Sequence, residues 1–381
     1  MAGPGRDQHH RRGVAPLTEP LALPRTEAAV TEGAGAGLHV GSQLALWWNG
    51  RPGWLALGQA AAGVEMSAAT LLPWFSATKP VTAAAVLQQW ERGRLDPDEP
   101  VARHVPEFGQ AGKEGVTLRH LLTHTAALAA TTKDDDDGDG LLAVACASPL
   151  VEDWAPGRRA AYSPRLGFQV LGEVVRRVDG RAFDAYVAEE LFEPLGMADS
   201  WLCLTPQRYG AYGERMGQMH DTRRQPPRPV EALAGAGGFG AVRPASSGVG
   251  PASDLVRFYV AMLHKGELDG VRVLSPQTVD AMCARHRAGV KDETFGAVVD
   301  WGLGVIVNSW HYRRQPAPYG FGDHASPRTF GHGGNQSSVS FADPDAGLAA
   351  VVVFNGMAGE AAHARRLRPV VNAIYEDLGL A

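Results

Sequence analysis

Two runs near the start of the chain, "LHVGSQLALWW" and "WLALGQAAAG", are apolar enough to read as strands, and they flank Asn49-Gly50. That dipeptide favours a tight hairpin, because the turn needs positive φ at both central positions. Just upstream, "TEAAVTEGAGAG" predicts a short helix ending in glycines. The stretch from Ser76 to Arg92 has the pattern of an ordinary amphipathic helix. "TLRHLLTHTAAL" and "GFQVLGEVVRRVDG" also carry apolar residues at helical spacing. "SDLVRFYVAMLHKG" adds Ser253 as an N-cap and Gly266 as a C-cap. Near the end, "SSVSFA" and "GLAAVVVFNG" flank the turn "DPDA" and predict a second hairpin. A helix over about 361–378 closes the chain.

Strands at both ends with helices between predict an α+β fold, in which chain-distant halves form one antiparallel sheet flanked by helices. The expected organisation is a flexible tail over 1–24, a sheet domain from 25–96 plus 251–381, and a mostly helical insertion over 97–250. No internal repeat is visible.

Composition narrows the function classes. A chain of 381 residues buries a sizeable core without metal or disulfide support. Its net charge of −5 gives no electrostatic reason to expect nucleic acid or an anionic membrane as partner. Cys146, Cys203 and Cys283 are odd in number and widely spaced, which argues against a disulfide framework and suits a reducing compartment. The N-terminal stretch lacks an apolar core of signal-peptide type, and no apolar run reaches membrane-spanning length. The expectation is a soluble, cytoplasmic protein. The acidic run "KDDDDGDG" at 133–140 begins like a calcium loop, with Asp135, Asp137, Asp139 and Gly140 in place. Cys146 occupies the position of the bidentate glutamate, so a calcium site is rejected in favour of a solvated loop tip.

The chemistry begins with "WFSATKP". Several common motifs are absent: His-Glu-x-x-His, the Gly-x-Ser-x-Gly elbow and the phosphate-binding Walker loop. Gly235, Gly237 and Gly240 match Gly-x-Gly-x-x-Gly, yet no strand precedes them, so they read as a loop. Ser76 and Lys79, three apart, share a helical face with Cβ atoms roughly 5–6 Å apart. The bland reading is a capping serine with a solvated lysine one turn on. The sharper one is a nucleophile beside a base, which requires burial or a second cation to lower the lysine pKa.

The surroundings favour the sharper reading. "WFSATKPVTAAAVLQQWERGRLDPDEPVARHVPEF" followed by "VTLRHLLTHTAAL" resembles the class C β-lactamase-like serine hydrolase family. That family includes penicillin-recognising enzymes, carboxylesterases, D-amino-acid peptidases and some acyltransferases. "WAPGRRAAYSPRLGFQVLGEVVRRVDGRAFDAYVAEELFEPLGMADS" is similar to its second motif region, with Tyr162 on the motif tyrosine. "FGHGGNQSSVSFADPDAGLAAVVVFNG" is similar to its third, with His332, Gly333 and Gly334 in place of Lys-Thr-Gly. The resemblance runs from about residue 30 to the end.

What the resemblance implies is two-step acyl transfer. Ser76 attacks a carbonyl, its proton goes to Lys79, Tyr162 or the coupled pair, and the N–H groups of Ser76 and Asn335 hold the oxyanion. It implies no metal and no organic cofactor. The implied substrate is a small ester, thioester or amide, with an alcohol or amine acceptor as the alternative to water. Two departures stand out. Pro164 replaces the motif asparagine and offers no side-chain hydrogen bond. His332 replaces a fixed cation with a titratable group. Both point to the esterase and acyltransferase branches rather than to β-lactam or peptide-like amides. The alternatives are a biosynthetic transacylase with little hydrolysis, a β-lactamase- or D-aminopeptidase-type amide hydrolase, and a non-catalytic binding protein that kept the fold. Trp74 and Phe75 are expected to pack on the helix with one edge in the pocket. His120, His124 and His220 read as structural or surface residues.

Overall fold

The computed structural model describes residues 20–128, 138–312 and 319–381. Strands β1 (Gly41–Trp48) and β2 (Arg51–Ala61) form the expected hairpin, with Asn49 and Gly50 at φ 46° and 86°. A short β3 (Val64–Glu65) follows. The C-terminal part supplies β4 (Asp300–Trp301), β5 (Ile306–Val307), β6 (Phe330–Gly334), β7 (Ser338–Asp343) and β8 (Leu348–Phe354). They assemble as one eight-stranded sheet in the order β4-β5-β6-β7-β8-β1-β2-β3, and every neighbour is antiparallel. The seam between the two halves is the β1–β8 ladder, which sets Ser42 opposite Phe354 and Trp48 opposite Leu348.

Both faces of this sheet are covered. Leu44, Leu46, Phe341, Val352 and Phe354 pack with residues of α1 (Pro24–Gly35) and the C-terminal helix, Val30 and Ile374 among them. Their neighbours Ala45, Ala342, Val351 and Val353 face the opposite way, into the larger core. Burial on two sides explains why β8 reads "LAAVVVF" without alternation, buried at every position.

Helix α2 (Lys79–Glu91) differs from its expected amphipathic form: every residue from Lys79 to Gln89 is buried. Its polar side chains are satisfied internally rather than by water. Thr82 Oγ1 donates to Pro244 O at 2.6 Å, and Gln88 Nε2 to Val273 O at 2.9 Å. The alanines let neighbours approach closely. A Cβ added to Gly304 would lie 2.3 Å from that of Ala83.

Helix α4 (Leu166–Asp179) packs on this central helix and α3 (Leu118–Leu122) on α4, α5 (Ala252–Leu263) lies against β1, β7 and β8, and α6 (Glu360–Asp377) closes the chain. The expected caps of α5 are displaced. Pro251 takes the extended N-cap position, and Ser253 lies inside the first turn with Oγ donating to Ala68 O at 3.4 Å. At the other end Lys265 adopts φ 58°, and Gly266 N–H donates back to Ala261 O at 2.8 Å.

Of the expected tail, residues 1–19 lie outside the described residues. Residues 20–24 are not free: Leu21 and Leu23 are buried, and Leu21 N–H donates to Pro52 O at 2.9 Å. Of the acidic run, 133–137 lies outside the described residues, and Gly138 begins a helix, Gly138–Ala147. The three cysteines are unpaired thiols. No described helix is long and apolar enough to cross a membrane.

Candidate active site

The site starts from a buried tryptophan. Trp74 is fully enclosed, its N–H donating to Gly248 O at 2.7 Å and its Nε1 to Gly250 O at 3.1 Å. Three glycines make room for it. A Cβ on Gly248, Gly250 or Gly334 would come within 2.4, 2.9 and 2.4 Å of Trp74 atoms. With Trp74 fixed, the chain turns sharply at Phe75, a non-glycine residue at φ 49°. Trp74 is therefore an anchor with no edge in a pocket, and Phe75 is the strained step before the serine. Ser76 then lies in a single 3₁₀ turn, Phe75–Thr78, that feeds α2. In that first turn its N–H stands outside the helical ladder.

Ser76 Oγ meets two groups. Lys79 Nζ is 3.1 Å away, and the Tyr162 hydroxyl donates to it at 2.8 Å. Lys79 Nζ also donates to Pro164 O at 2.8 Å and to Ala245 O at 3.1 Å. No carboxylate is among these partners. Burial drives the amine well below its ordinary pKa. The Tyr162 and Phe168 rings, 5.1 and 5.3 Å from Nζ, act the other way. Such contacts contribute about 0.5–2 kcal/mol, whereas taking an ammonium out of water costs several, so desolvation wins. The geometry fits a neutral amine: two N–H bonds go to the two carbonyls, and the lone pair faces the serine hydroxyl.

Tyr162 is held from all sides. Its N–H donates to Asp292 Oδ1 at 3.0 Å, and its carbonyl accepts from Thr294 Oγ1 at 3.0 Å. Asp292 is itself buried and paired with buried Arg287 at 3.0 Å. The Tyr162 ring stacks on Phe295 at 4.8 Å. Burial raises its pKa far above the ordinary phenol range, the hydrogen bond to Ser76 opposing, so the group is a proton-bearing phenol at rest.

His124 belongs here as well, although its sequence position suggested only a structural or surface role. It is buried at φ 55° and brackets the tyrosine. Ala161 N–H donates to its carbonyl at 3.1 Å, and Ser163 N–H to its Nδ1 at 3.1 Å. Its ring lies 4.7 Å from that of Tyr162. The signal in the sequence was a short polar run inside "LLTHTAAL", placed where an apolar helix would continue. His120 instead serves its own helix, its Nδ1 accepting from Thr117 N–H at 3.2 Å. His220 is a buried strand residue whose N–H donates to Asn355 O at 2.7 Å.

His332 is brought to the same centre, its ring 5.9 Å from that of Tyr162, but not as a cation. It is fully enclosed on β6, and Nδ1 donates to Gly333 O at 2.7 Å. Burial, with Lys79 adding to it, pulls its pKa down to about 3. The expected titratable group is thus neutral imidazole near neutral pH, and it supplies no charge for a substrate carboxylate. Gly333 and Gly334 are required by space. A Cβ on Gly333 would sit 2.2 Å from Tyr319 Cδ1, and one on Gly334 would meet Trp74 O. Asn335 follows β6 directly, in an exposed turn. Among the described residues no cluster of three or more His, Cys, Asp or Glu could hold a metal ion.

Known proteins share this arrangement of the chain. The family model described as Beta-lactamase matches residues 6–373. Esterase EstB of Burkholderia gladioli is 32% identical over 343 residues, covering 78% of this chain and 81% of its own. The esterase/beta-lactamase LipL of Mycobacterium tuberculosis is 28% identical over 348 residues, covering 83% of this chain and 77% of its own. The crystal structure of a family VIII carboxylesterase superposes with a TM-score of 0.78 at 26% identity, over 94% of this chain and 99% of that one.

Proposed function

The chain belongs to the Beta-lactamase family, and on that premise we propose that it is a serine esterase working through an acyl-enzyme on Ser76. The observation that carries the reading is the position of Ser76 Oγ between a buried lysine amine at 3.1 Å and a buried phenol at 2.8 Å. Lys79 is the resting base, because burial lowers its pKa while burial raises that of Tyr162.

In the proposed first step Ser76 Oγ bonds to the substrate carbonyl carbon and its proton passes to Lys79 Nζ. The carbonyl oxygen becomes an oxyanion facing the N–H groups of Ser76 and Asn335. Collapse breaks the bond to the leaving oxygen, which takes the Tyr162 proton, and the Lys79 ammonium then restores it. Water, or an alcohol or amine, enters by the same route reversed and frees the acid or a transferred ester or amide. Small-molecule esters are the favoured substrates, as in the esterase relatives; thioesters and amides share the chemistry. Neutral His332 and the missing amide of Pro164 both count against efficient β-lactam turnover.

The test is covalent. A fluorophosphonate probe should add once to the protein by intact mass, and Ser76→Ala should abolish the adduct. Labelling that persists in the alanine variant overturns the assignment.

A further inference from the structure

Beyond Phe295, whose ring stacks on Tyr162, lies a cavity of about 480 Å³. Its inner wall is aromatic. Phe295, stacked on Tyr162, meets Tyr319 edge-on at 6.0 Å, and Tyr319 in turn covers Gly333. Its opposite wall is the start of α6, from which Glu360 and Ala364 line the space. That helix start is tied to the turn after Asn335, because Gly359 N–H donates to Gln336 Oε1 at 2.7 Å. Glu360 therefore stands at the end of the cavity nearest the reacting groups. Its charge reaches both phenols, adding to the upward push that burial gives Tyr162 and Tyr319.

Which half of a substrate enters the cavity follows from where the protons are. Lys79 is enclosed by carbonyls inside the core, so Tyr162 is the group able to protonate a departing oxygen. The alcohol or amine portion must then lie on the Tyr162 side, the side on which Phe295 and Tyr319 border this cavity, and an incoming acceptor must occupy the same place. We propose that Glu360 sets the charge preference of this cavity, so that the enzyme favours esters with an apolar alcohol portion that is cationic or uncharged and disfavours anionic ones. The inference rests on the Ser76–Tyr162 reading above.

Among the described residues, other charged groups do not cancel this field at its inner end. Arg368 is held by Asp323 at 2.9 Å and lies 5.0 Å from the Trp310 ring. Arg365 comes five residues after Glu360, roughly 7.5 Å further along the helix axis, towards the outer end. His363 is buried and neutral, its pKa drawn down to about 3 by burial and by Arg366. Glu360 itself is exposed at the rim, although surrounding atoms crowd its carboxyl enough to raise it above the ordinary range. Among the described residues it has no ion-pair partner.

A matched set of acetate esters tests this at pH 8, with the full chain and active sites titrated by fluorophosphonate. The alcohols are phenols carrying trimethylammonium, tert-butyl or carboxylate at the meta position; the first two are nearly isosteric. Each variant-to-wild-type ratio cancels the chemistry of the leaving group. Glu360→Gln should narrow the cation-to-anion ratio of kcat/KM about tenfold, and Glu360→Lys should reverse the preference. Ala364→Trp, at an exposed helix position, should lower kcat/KM for the tert-butyl ester about tenfold relative to ethyl acetate. Ratios unmoved by both Glu360 variants overturn the charge assignment while Ser76 still labels. A wild-type protein that does not label at Ser76 overturns the underlying acyl-enzyme reading instead.

Discussion

Among the described residues two lysines are fully buried, Lys79 and Lys113, and their immediate surroundings look alike. Each ammonium position faces two backbone carbonyls and an aromatic ring. For Lys79 these are Pro164 O, Ala245 O and Tyr162. For Lys113 they are Cys146 O, Ser148 O and Phe108, 5.3 Å away. The difference lies in what else is near. Lys113 reaches the C-terminal carbonyls of the Gly138–Ala147 helix, the negative end, where a cation is favoured. Lys79 is the first residue of α2, the positive end, where a cation is disfavoured, and its further partner is a serine hydroxyl. Burial lowers both, Lys79 much further. On the proposed reading Lys79 is the base, and what separates it from Lys113 is its position relative to helix ends and a hydroxyl rather than enclosure.

The comparison breaks most visibly in turnover. Lys79→Met should reduce kcat/KM for a p-nitrophenyl ester by about 10³-fold or more, and Lys113→Met by less than about threefold. Equal losses would mean that Lys79 acts only through packing. Next in size is the coupling of Lys79 to Tyr162. Tyr162→Phe should also cost about 10²–10⁴-fold, and the double variant should be little worse than the poorer single one. Losses that multiply would assign the two groups to independent tasks.

A smaller effect is the pH dependence. The proposed mechanism needs the neutral amine, so kcat/KM should rise with pH through the lowered pKa of Lys79 and then level off. Stability follows the same sign: between that pKa and the unfolded value the native state binds fewer protons, so unfolding becomes harder as pH rises. Urea midpoints at pH 7 and pH 9 should show that gain in the wild type and its loss in Lys79→Met. The smallest expected effect is on Lys113, where Met would remove the partner of Ser148 O and leave Cys146 O to Gln110 Nε2 alone. Lys113→Met should lose about 1–3 kcal/mol in urea unfolding. A variant as stable as the wild type would show that its carbonyl contacts contribute nothing.

The hairpin at Asn49-Gly50 and the Ser-x-x-Lys spacing were legible because both are local. Turn geometry needs only two residues, and one helical turn carries Ser76 to Lys79. The burial of α2 was not legible, because Thr82 and Gln88 look like a wet face until Pro244 O and Val273 O arrive from distant segments. The support of Tyr162 was equally hidden. It depends on Asp292 and Arg287, more than a hundred residues away, and on a histidine whose backbone bends against pattern. His332 could be placed at the site from sequence, but its neutrality follows from enclosure that only the tertiary structure supplies.

Pro164 has one more consequence. It reaches Lys79 through its carbonyl oxygen rather than through a side chain. The task of steering the amine is thus written into the main chain, which every residue type carries. On the proposed reading, position 164 can therefore change its side chain without removing the carbonyl that steers the proposed base, so it is a place where directed libraries can vary the side chain while the proposed reactive centre stays constant.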